Sequence, residues 1–394
     1  MNNELADRQQ AIKLRLAGRS VEEICQMLGY SRKWFHLWWR RYRSQGPNGL
    51  FDLTRSNVQS RRISPELERT IVGVRRRLVS QTHPETRYSL IGASSIVAEL
   101  QVLHIHPLPS VRTVERVLER NGETVPKVHL APYLARSTYP KPQANYSNQL
   151  HQVDAVGPLY LKGNRQRYYI FTCKDVYDGA VYQKLYRSRK MEVILDFLGE
   201  CWKHLGIPEQ VQFDNAREVV GWGPAARYLS RVLRLCLRFG VEPLLIPPGQ
   251  SQHNGSIENY NGWFQVRLFQ RHYSRVSAFR CELHRLQETV NTQHTQPRLG
   301  GLTPAQHRRH IKIRKLPPNY VVPTEPLQIA AGHITFFRQV TAHGNVHLLS
   351  QTFYVGKRVK GEYVKVQLDT KRAQLTVYRQ GRIFKRWPYP FLKR

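Results

Sequence analysis

The stretch Asn-Gly-Ser-Ile-Glu-Asn-Tyr-Asn at residues 254–261 begins a predicted amphipathic helix with one acidic residue, Glu258. Apolar side chains recur there at spacings of three and four, which predicts a buried face: Ile257, Tyr260, Phe264 and Leu268. A polar stripe runs beside that face: Asn254, Glu258, Asn261 and Gln265. Glu258 is therefore predicted at the edge of the buried face, where it can reach the end of a neighbouring sheet.

Two further acidic residues lie within or directly after segments that are predicted to be β-strands. Asp154 lies inside His-Gln-Val-Asp-Ala-Val at residues 151–156, and Asp214 follows Val-Gln-Phe at residues 211–213. Aspartate is unfavourable within a strand, so Asp154 needs a partner or a role. Asp214 falls at a strand end, where sites often form. Each acid alone is ordinary as a turn or surface residue, but three convergent oxygen ligands suit a pair of divalent metal ions.

The charge of the chain indicates a polyanionic partner. Its 394 residues contain 61 Lys and Arg against 28 Asp and Glu, a formal charge of +33. The isoelectric point is near 10.4, and the cations are spread along the chain, which predicts a long nucleic-acid track. A structural nucleic-acid-coating protein would have the same composition, but it would not account for the three acids.

The cysteines indicate neither a disulfide framework nor a zinc site of the cysteine type. The five cysteines include no Cys-x-x-Cys pair. With neither a signal-peptide pattern nor a long apolar segment in the sequence, we expect a soluble protein of a reducing compartment.

Residues 1–45 are predicted to form a helix-turn-helix DNA-binding domain. Ser20 and Ser31 are suitable caps for two helices separated by a turn at Gly29 and Tyr30. On the last helix we expect Trp34, Leu37, Trp38 and Tyr42 to face inward. The candidate DNA contacts on that helix are its cations, Arg32, Lys33, Arg40, Arg41 and Arg43. A plain three-helix bundle with a solvated basic face is the alternative.

A second helical DNA-binding domain is predicted at residues 64–121, of helix-turn-helix or winged-helix type. A basic linker at 46–63 precedes it, with Arg55, Arg61 and Arg62 as candidate groove contacts. Arg112 and Arg116 are candidate contacts on its last helix. A Pro-rich linker at 122–149 follows it.

The remainder is predicted as a catalytic domain and a small β domain. Three strands in succession, then alternating helix and strand, predict a mixed α/β sheet covered by helices at 150–294. Residues 295–325 are Pro-rich and basic and read as a linker. Short β-like runs with hairpin turns at Asp369-Thr-Lys and Gln380-Gly predict a small β-barrel at 326–394.

These motifs resemble one family. The pieces are Asp154 on its strand, Phe-Asp-Asn at 213–215, the stretch at 254–261, and Gln-Pro-Arg-Leu-Gly-Gly-Leu-Thr-Pro-Ala at 296–305. They resemble the ribonuclease H-like core of retroviral-integrase-type transposases of bacterial insertion sequences. The domain layout is similar over nearly the whole chain. Ala216 stands where the family commonly has Gly, and an insertion at 219–231 separates the second and third acids more widely than usual.

The resemblance implies a magnesium-dependent DNA transposase. Asp154, Asp214 and Glu258 would hold two Mg²⁺ ions, with Mn²⁺ as a possible substitute. One ion would lower the pKa of an attacking water and the other would stabilise the leaving oxygen, after which the freed 3′-hydroxyl attacks target DNA. The helical domains would bind terminal inverted repeats, and Asn254 is included among the candidate DNA contacts.

The same resemblance implies a dimer or tetramer on double-stranded DNA in the bacterial cytoplasm, associated with the nucleoid. The sequence has no nucleotide-binding loop, so any ATP would be used by an accessory ATPase. Two alternatives stay open: a DNA-binding regulator with an inactive integrase-like core, and a metal-dependent nuclease that cuts without joining.

Overall fold

The structure is a computed structural model. The model describes residues 4–52, 63–124, 139–214, 217–220 and 228–391. The chain divides into two compact units, Met1–Pro65 and Glu66–Arg394.

The N-terminal unit consists of three helices, α1 (Glu4–Leu16), α2 (Val21–Leu28) and α3 (Arg32–Gln45), followed by a 3₁₀ turn at Gly46–Leu50. Ser20 forms a capping box with Glu23 at the start of α2, and Gly29 ends that helix at a φ of 73°. Ser31 caps α3. The predicted helix-turn-helix arrangement is confirmed.

The inward face of α3 differs in part from the prediction. Trp38 is buried as expected, but Leu37 is 43% exposed and Phe35 is buried instead. Phe35 joins Ile24 of α2 in one cluster, and Trp38 joins Ile12 of α1 in a second. Contacts to two different helices therefore decide which residues of α3 turn inward.

The second unit begins with three helices, α4 (Pro65–Ser80), α5 (Ala93–Val102) and α6 (Val111–Arg120). Ser110 caps α6, and the predicted inward residues Val114, Val117 and Leu118 are buried. The loop between α4 and α5 packs on the central domain, where Tyr88 donates a hydrogen bond of 2.7 Å to Glu282.

The central domain is the predicted mixed sheet covered by helices. Its strands and helices, in chain order, are β1 (Leu150–Leu159), β2 (Tyr168–Asp175), β3 (Val181–Tyr186), α7 (Met191–His204), β4 (Gln210–Phe213), α8 (Arg217–Val220), α9 (Arg231–Arg238), β5 (Glu242–Leu245), α10 (Gly255–Leu268), α11 (Val276–Gln293) and α12 (Pro304–Arg308). Strands β1, β2 and β3 pair antiparallel, whereas β4 and β5 continue the sheet from β1 in parallel. Helices α7 and α9 share one apolar cluster with the sheet, and α10 and α11 share a second.

The C-terminal strands are present, and four of the six described strands extend the central sheet, while the other two pair with each other. They are β6 (His333–Gln339), β7 (Asn345–Leu348), β8 (Gln351–Tyr354), β9 (Tyr363–Asp369), β10 (Gln374–Arg379) and β11 (Arg382–Pro388). Strand β6 pairs in parallel with β5, so the described residues form a nine-stranded sheet of order β11-β10-β9-β6-β5-β4-β1-β2-β3. The predicted C-terminal strands are thus confirmed, and β6, β9, β10 and β11 continue the central sheet where the sequence predicted a small β-barrel. Thr335 of β6 bonds to Glu242 of β5, which helps to join the two parts.

The predicted linker at 295–325 lies along the central domain. Arg308 of α12 forms ion pairs of 2.7 Å with Asp175 and 2.6 Å with Asp178. Ile207 N–H donates to the carbonyl of Arg314. Of the helices that the structure describes, none has the length and apolar character needed to cross a bilayer.

Candidate active site

Asp154 is held on β1 by two hydrogen bonds. Its Oδ1 accepts from the N–H of Ala155 at 2.8 Å, and its Oδ2 accepts from Asn261 Nδ2 at 2.7 Å. Burial raises the pKa of Asp154, the two hydrogen bonds lower it, and the charge of Glu258 raises it. Glu258 therefore lies within electrostatic reach of Asp154.

Asp214 is brought level with Asp154 by the parallel pairing of β1 and β4. Gln152 and Gln212 are paired across these strands, and each acid follows its glutamine by two residues. The two acids line one cavity of about 60 Å³, together with Phe171, Arg189, Val219 and other residues. The sequence-predicted pair is thus assembled by adjacent strands.

Glu258 lies in the first turn of α10 and is half-buried. The apolar stripe predicted beside it, from Ile257 to Leu268, is buried as expected. Asn261, three residues further on, shares its side of the helix and bonds to Asp154. Glu258 is not among the residues that line the cavity between Asp154 and Asp214, so the third acid stands beside that cavity.

Asn261 and the two glutamines are the residues to which the sequence analysis gave no role. Asn261 belonged to the predicted polar stripe, and its spacing of three from Glu258 was the available signal. Gln152 and Gln212 each precede a candidate acid by two residues, a repeated pattern that places both on the same side of neighbouring strands.

The donor set around Asp154 fits a hard divalent cation. A carboxylate offers about four acceptor positions, and two of those on Asp154 are used by Ala155 and Asn261. The remaining positions, with Asp214 on the same cavity, are oxygen ligands of the kind that Mg²⁺ prefers.

The nearby acids Asp175 and Asp178 belong to a separate buried network. Burial acts to raise the pKa of Asp175, but the hydrogen bond and charge of His151 and the charge of Arg308 hold it below its ordinary value. Asp175 is therefore paired with His151 and Arg308, and these contacts hold the α12 segment on the sheet.

A His-Cys-Cys group also lies in the core. The ligand atoms of His151, Cys173 and Cys201 lie within 4.8 Å of one another. Cys173 Sγ is 3.5 Å from His151 Nδ1, and the other ring nitrogen is 2.9 Å from Asn148 Oδ1. The polar contacts of this buried ring are thus satisfied by protein atoms.

The cations predicted to bind DNA on α3 fall into two sets. Lys33, Arg40 and Arg43 line an open surface groove. Arg32 instead pairs with Glu22. Arg41 donates to the carbonyl of Phe51 at 2.8 Å and lies over the Trp38 ring, so it serves the unit's own packing.

The other candidate DNA contacts differ in their exposure and in their partners within the protein. Arg116 is exposed on α6, and Arg112 is exposed but forms an ion pair of 3.0 Å with Glu115. Asn254 is only 2% exposed and accepts a hydrogen bond from Gln212, so its side chain acts inside the protein. Arg55, Arg61 and Arg62 lie outside the described residues.

Comparison with known families gives one match, over the N-terminal unit. Residues 2–51 match a homeodomain-like domain, in agreement with the three helices described above. No curated protein matches the chain.

Several solved integrase structures resemble the chain in part. The catalytic core domain of HTLV-2 integrase in complex with magnesium is 17% identical, with a TM-score of 0.32, over 42% of this chain and 98% of that one. The simian T-cell lymphotropic virus intasome in complex with PP2A regulatory subunit B56 gamma gives 15% identity and a TM-score of 0.36, over 76% and 98%. The catalytic core of BIV integrase gives 15% and 0.31, over 41% and 93%.

The homeodomain-like match concerns the N-terminal unit alone.

Proposed function

We propose that this protein is a DNA transposase of an insertion sequence. It would bind the terminal inverted repeats of its element, cleave the 3′ ends and join them to target DNA. The observation that carries the proposal is the level placement of Asp154 and Asp214 on neighbouring parallel strands, with the Glu258 helix bonded to Asp154 through Asn261.

Asp154, Asp214 and Glu258 would hold two Mg²⁺ ions, for which Mn²⁺ is a substitute. Such ions supply an activated nucleophile and neutralise the charge on the leaving oxygen at a phosphodiester. The chain's own contribution is to fix the carboxylates. The N–H of Ala155 and the amide of Asn261 orient the Asp154 carboxylate and oppose the rise in its pKa that burial causes. They thereby favour its ionised, ligating form.

DNA would be bound by the exposed cations of the helical regions. Lys33, Arg40 and Arg43 on α3 line an open groove, which suits a helix that enters the major groove. The formal charge of +33 supports a second, sequence-independent contribution from phosphate contacts. The family resemblance implies that at least two copies of the protein bring the two DNA ends together, so we propose a dimer or tetramer on DNA. We place it in the bacterial cytoplasm, at the nucleoid, and include an accessory ATPase among its possible partners.

The deciding experiment is a strand-transfer assay with Mg²⁺ or Mn²⁺ on DNA that carries the element's own ends. Asp214→Asn is the matched control, because it keeps the side chain's size and removes its charge. Joined products that vanish in the control would support the proposal. Cleaved but unjoined products would indicate a nuclease. Tight end binding without cleavage under either metal, with the accessory ATPase also supplied, would indicate a regulator.

A further inference from the structure

Three side chains on adjacent strands contact the start of α10. Lys174 of β2 is paired with Gln152 of β1, and Gln152 is paired with Gln212 of β4. Side chains of directly paired residues lie on the same face of a sheet. We call Lys174, Gln152 and Gln212 the anchoring row.

Each member of the anchoring row bonds to a different group at the helix start. Gln152 Oε1 accepts from the N–H of Ile257 at 2.9 Å, and Lys174 Nζ donates to the carbonyl of Ser256 at 3.1 Å. Gln212 Nε2 donates to the carbonyl of His253 at 3.0 Å and to Asn254 Oδ1 at 3.2 Å. Residues 253–257 are therefore fixed from the sheet.

The bond from Gln152 replaces a local cap. The first N–H groups of a helix lack partners within the helix and are usually satisfied by a capping side chain. Within the described part of the chain, Asn254 makes no such capping bond to α10. The acceptor comes instead from a residue 105 positions away, on the strand that carries Asp154.

Gln152 and Gln212 of the anchoring row are also buried, and Lys174 is half-buried, so their bonds are costly to break. Gln152 is 4% exposed and Gln212 is fully buried. Burial lowers the pKa of Lys174 to about 8. A buried polar group that loses its partner pays the desolvation cost in full.

We propose that Gln152, Gln212 and Lys174 are positioning residues that fix Glu258 relative to Asp154 and Asp214. This inference rests on the proposed function, since it assigns the anchoring row to the same candidate metal site. Each glutamine lies two residues before one of the two aspartates. The strands that carry Asp154 and Asp214 therefore also hold α10, the helix that carries Glu258.

The test follows hydrogen–deuterium exchange of the peptide around residues 252–260 as MgCl₂ or MnCl₂ alone is titrated into the full chain. Gln152→Leu and Gln212→Leu should exchange faster there without metal. They should also need roughly tenfold more metal for half-maximal protection, the lower end of the loss seen when a group that orients a metal ligand is removed, because the helix that carries Glu258 would be less firmly placed. Gln152→Glu keeps an oxygen that accepts from Ile257, so its exchange without metal should return toward the wild-type rate.

Gln210→Leu is the matched control. Gln210 lies two residues before Gln212 on β4, but its amide bonds to Glu242 and not to α10. Its exchange and metal requirement at 252–260 should equal those of the wild type. If Gln212→Leu does not fold, Lys174→Met tests the same helix start through Ser256.

Unchanged exchange in the row variants would overturn the proposal. Faster exchange with an unchanged metal requirement would also overturn it, because the row would then hold the helix without acting on the site. A wild-type protein that metal protects but that joins no DNA strands would refute the proposed function and leave this measurement valid.

Discussion

Asn261 donates a hydrogen bond of 2.7 Å from Nδ2 to Oδ2 of Asp154. The two residues lie 107 positions apart, one on α10 and the other on β1. Since Asn261 follows Glu258 by three residues on the same helix, this bond links the positions of two candidate metal ligands.

Replacing Asn261 with Ala should reduce strand transfer by about 10- to 100-fold, because the Asp154 carboxylate loses the bond that orients it. That bond also lowers the pKa of Asp154. Its loss raises the pKa further, so activity in the variant should be lost at a higher pH as the solution is acidified. Gln265→Ala, one turn along α10, is the control. A pH profile of the variant that superimposes on the wild-type profile would contradict this role.

Replacing Asp154, Asp214 or Glu258 individually with Ala should abolish strand transfer and leave binding to the element's ends within about twofold. The reason is that each substitution removes a proposed oxygen ligand of the metal ions without touching the cations of α3. Electrophoretic mobility shifts and joining assays on the same preparations measure the two activities. A Glu258→Ala protein that joins strands at the normal rate would show that Glu258 is not a ligand.

Replacing Lys33, Arg40 and Arg43 together with Ala should weaken DNA binding and lower the slope of affinity against salt. The expected loss of slope is about 0.9 for each phosphate contact removed. Lys13→Ala is the control, since Lys13 is exposed on α1 of the same unit and does not line the groove. Fluorescence anisotropy over a range of salt concentrations gives both slopes, and equal slopes would exclude the groove as the DNA contact.

Replacing Arg308 with Ala should lower the free energy of unfolding by about 3–5 kcal/mol, because the buried Asp178 loses its ion pair and the buried Asp175 keeps only its ion pair with His151. Arg309→Ala, at an exposed neighbouring position, should change it little. The pKa of Asp175 is depressed in the folded protein. Its contribution to stability is therefore present above the ordinary aspartate pKa and lost as pH falls through the folded value. Urea unfolding from pH 7 down to pH 3 should show the difference between variant and wild type shrinking.

Local patterns were sufficient to predict the helix-turn-helix unit, the succession of strands and helices along the central domain, and the buried stripe of α10. Ser20, Ser31 and the spacing of Ile257, Tyr260 and Phe264 act within one or two helical turns, so the sequence displays them directly. The level placement of Asp154 and Asp214 also follows once β1 and β4 are known to be parallel neighbours.

What the sequence did not reveal depends on distant partners. Asn254 is buried because Gln212, 42 positions away, bonds to it. Phe35 turns inward in place of Leu37 because it meets Ile24 of another helix. Strand β6 pairs with β5 at two positions, Leu244 with Thr335 and Leu245 with Phe336. These residues are far apart in the chain, so no local periodicity indicates their register. The roles of Gln152, Gln212 and Asn261 were missed for the same reason.

The parallel pairing of β5 with β6 has a consequence for any shortened form of the protein. A chain that stopped after Gln293 would contain the three acids, yet it would leave one side of β5 with unsatisfied backbone N–H and C=O groups. An open strand edge of this kind recruits strands from other molecules. Such a fragment should self-associate in solution, and its poor solubility would reflect the missing neighbour strand and not a defect in the candidate active site.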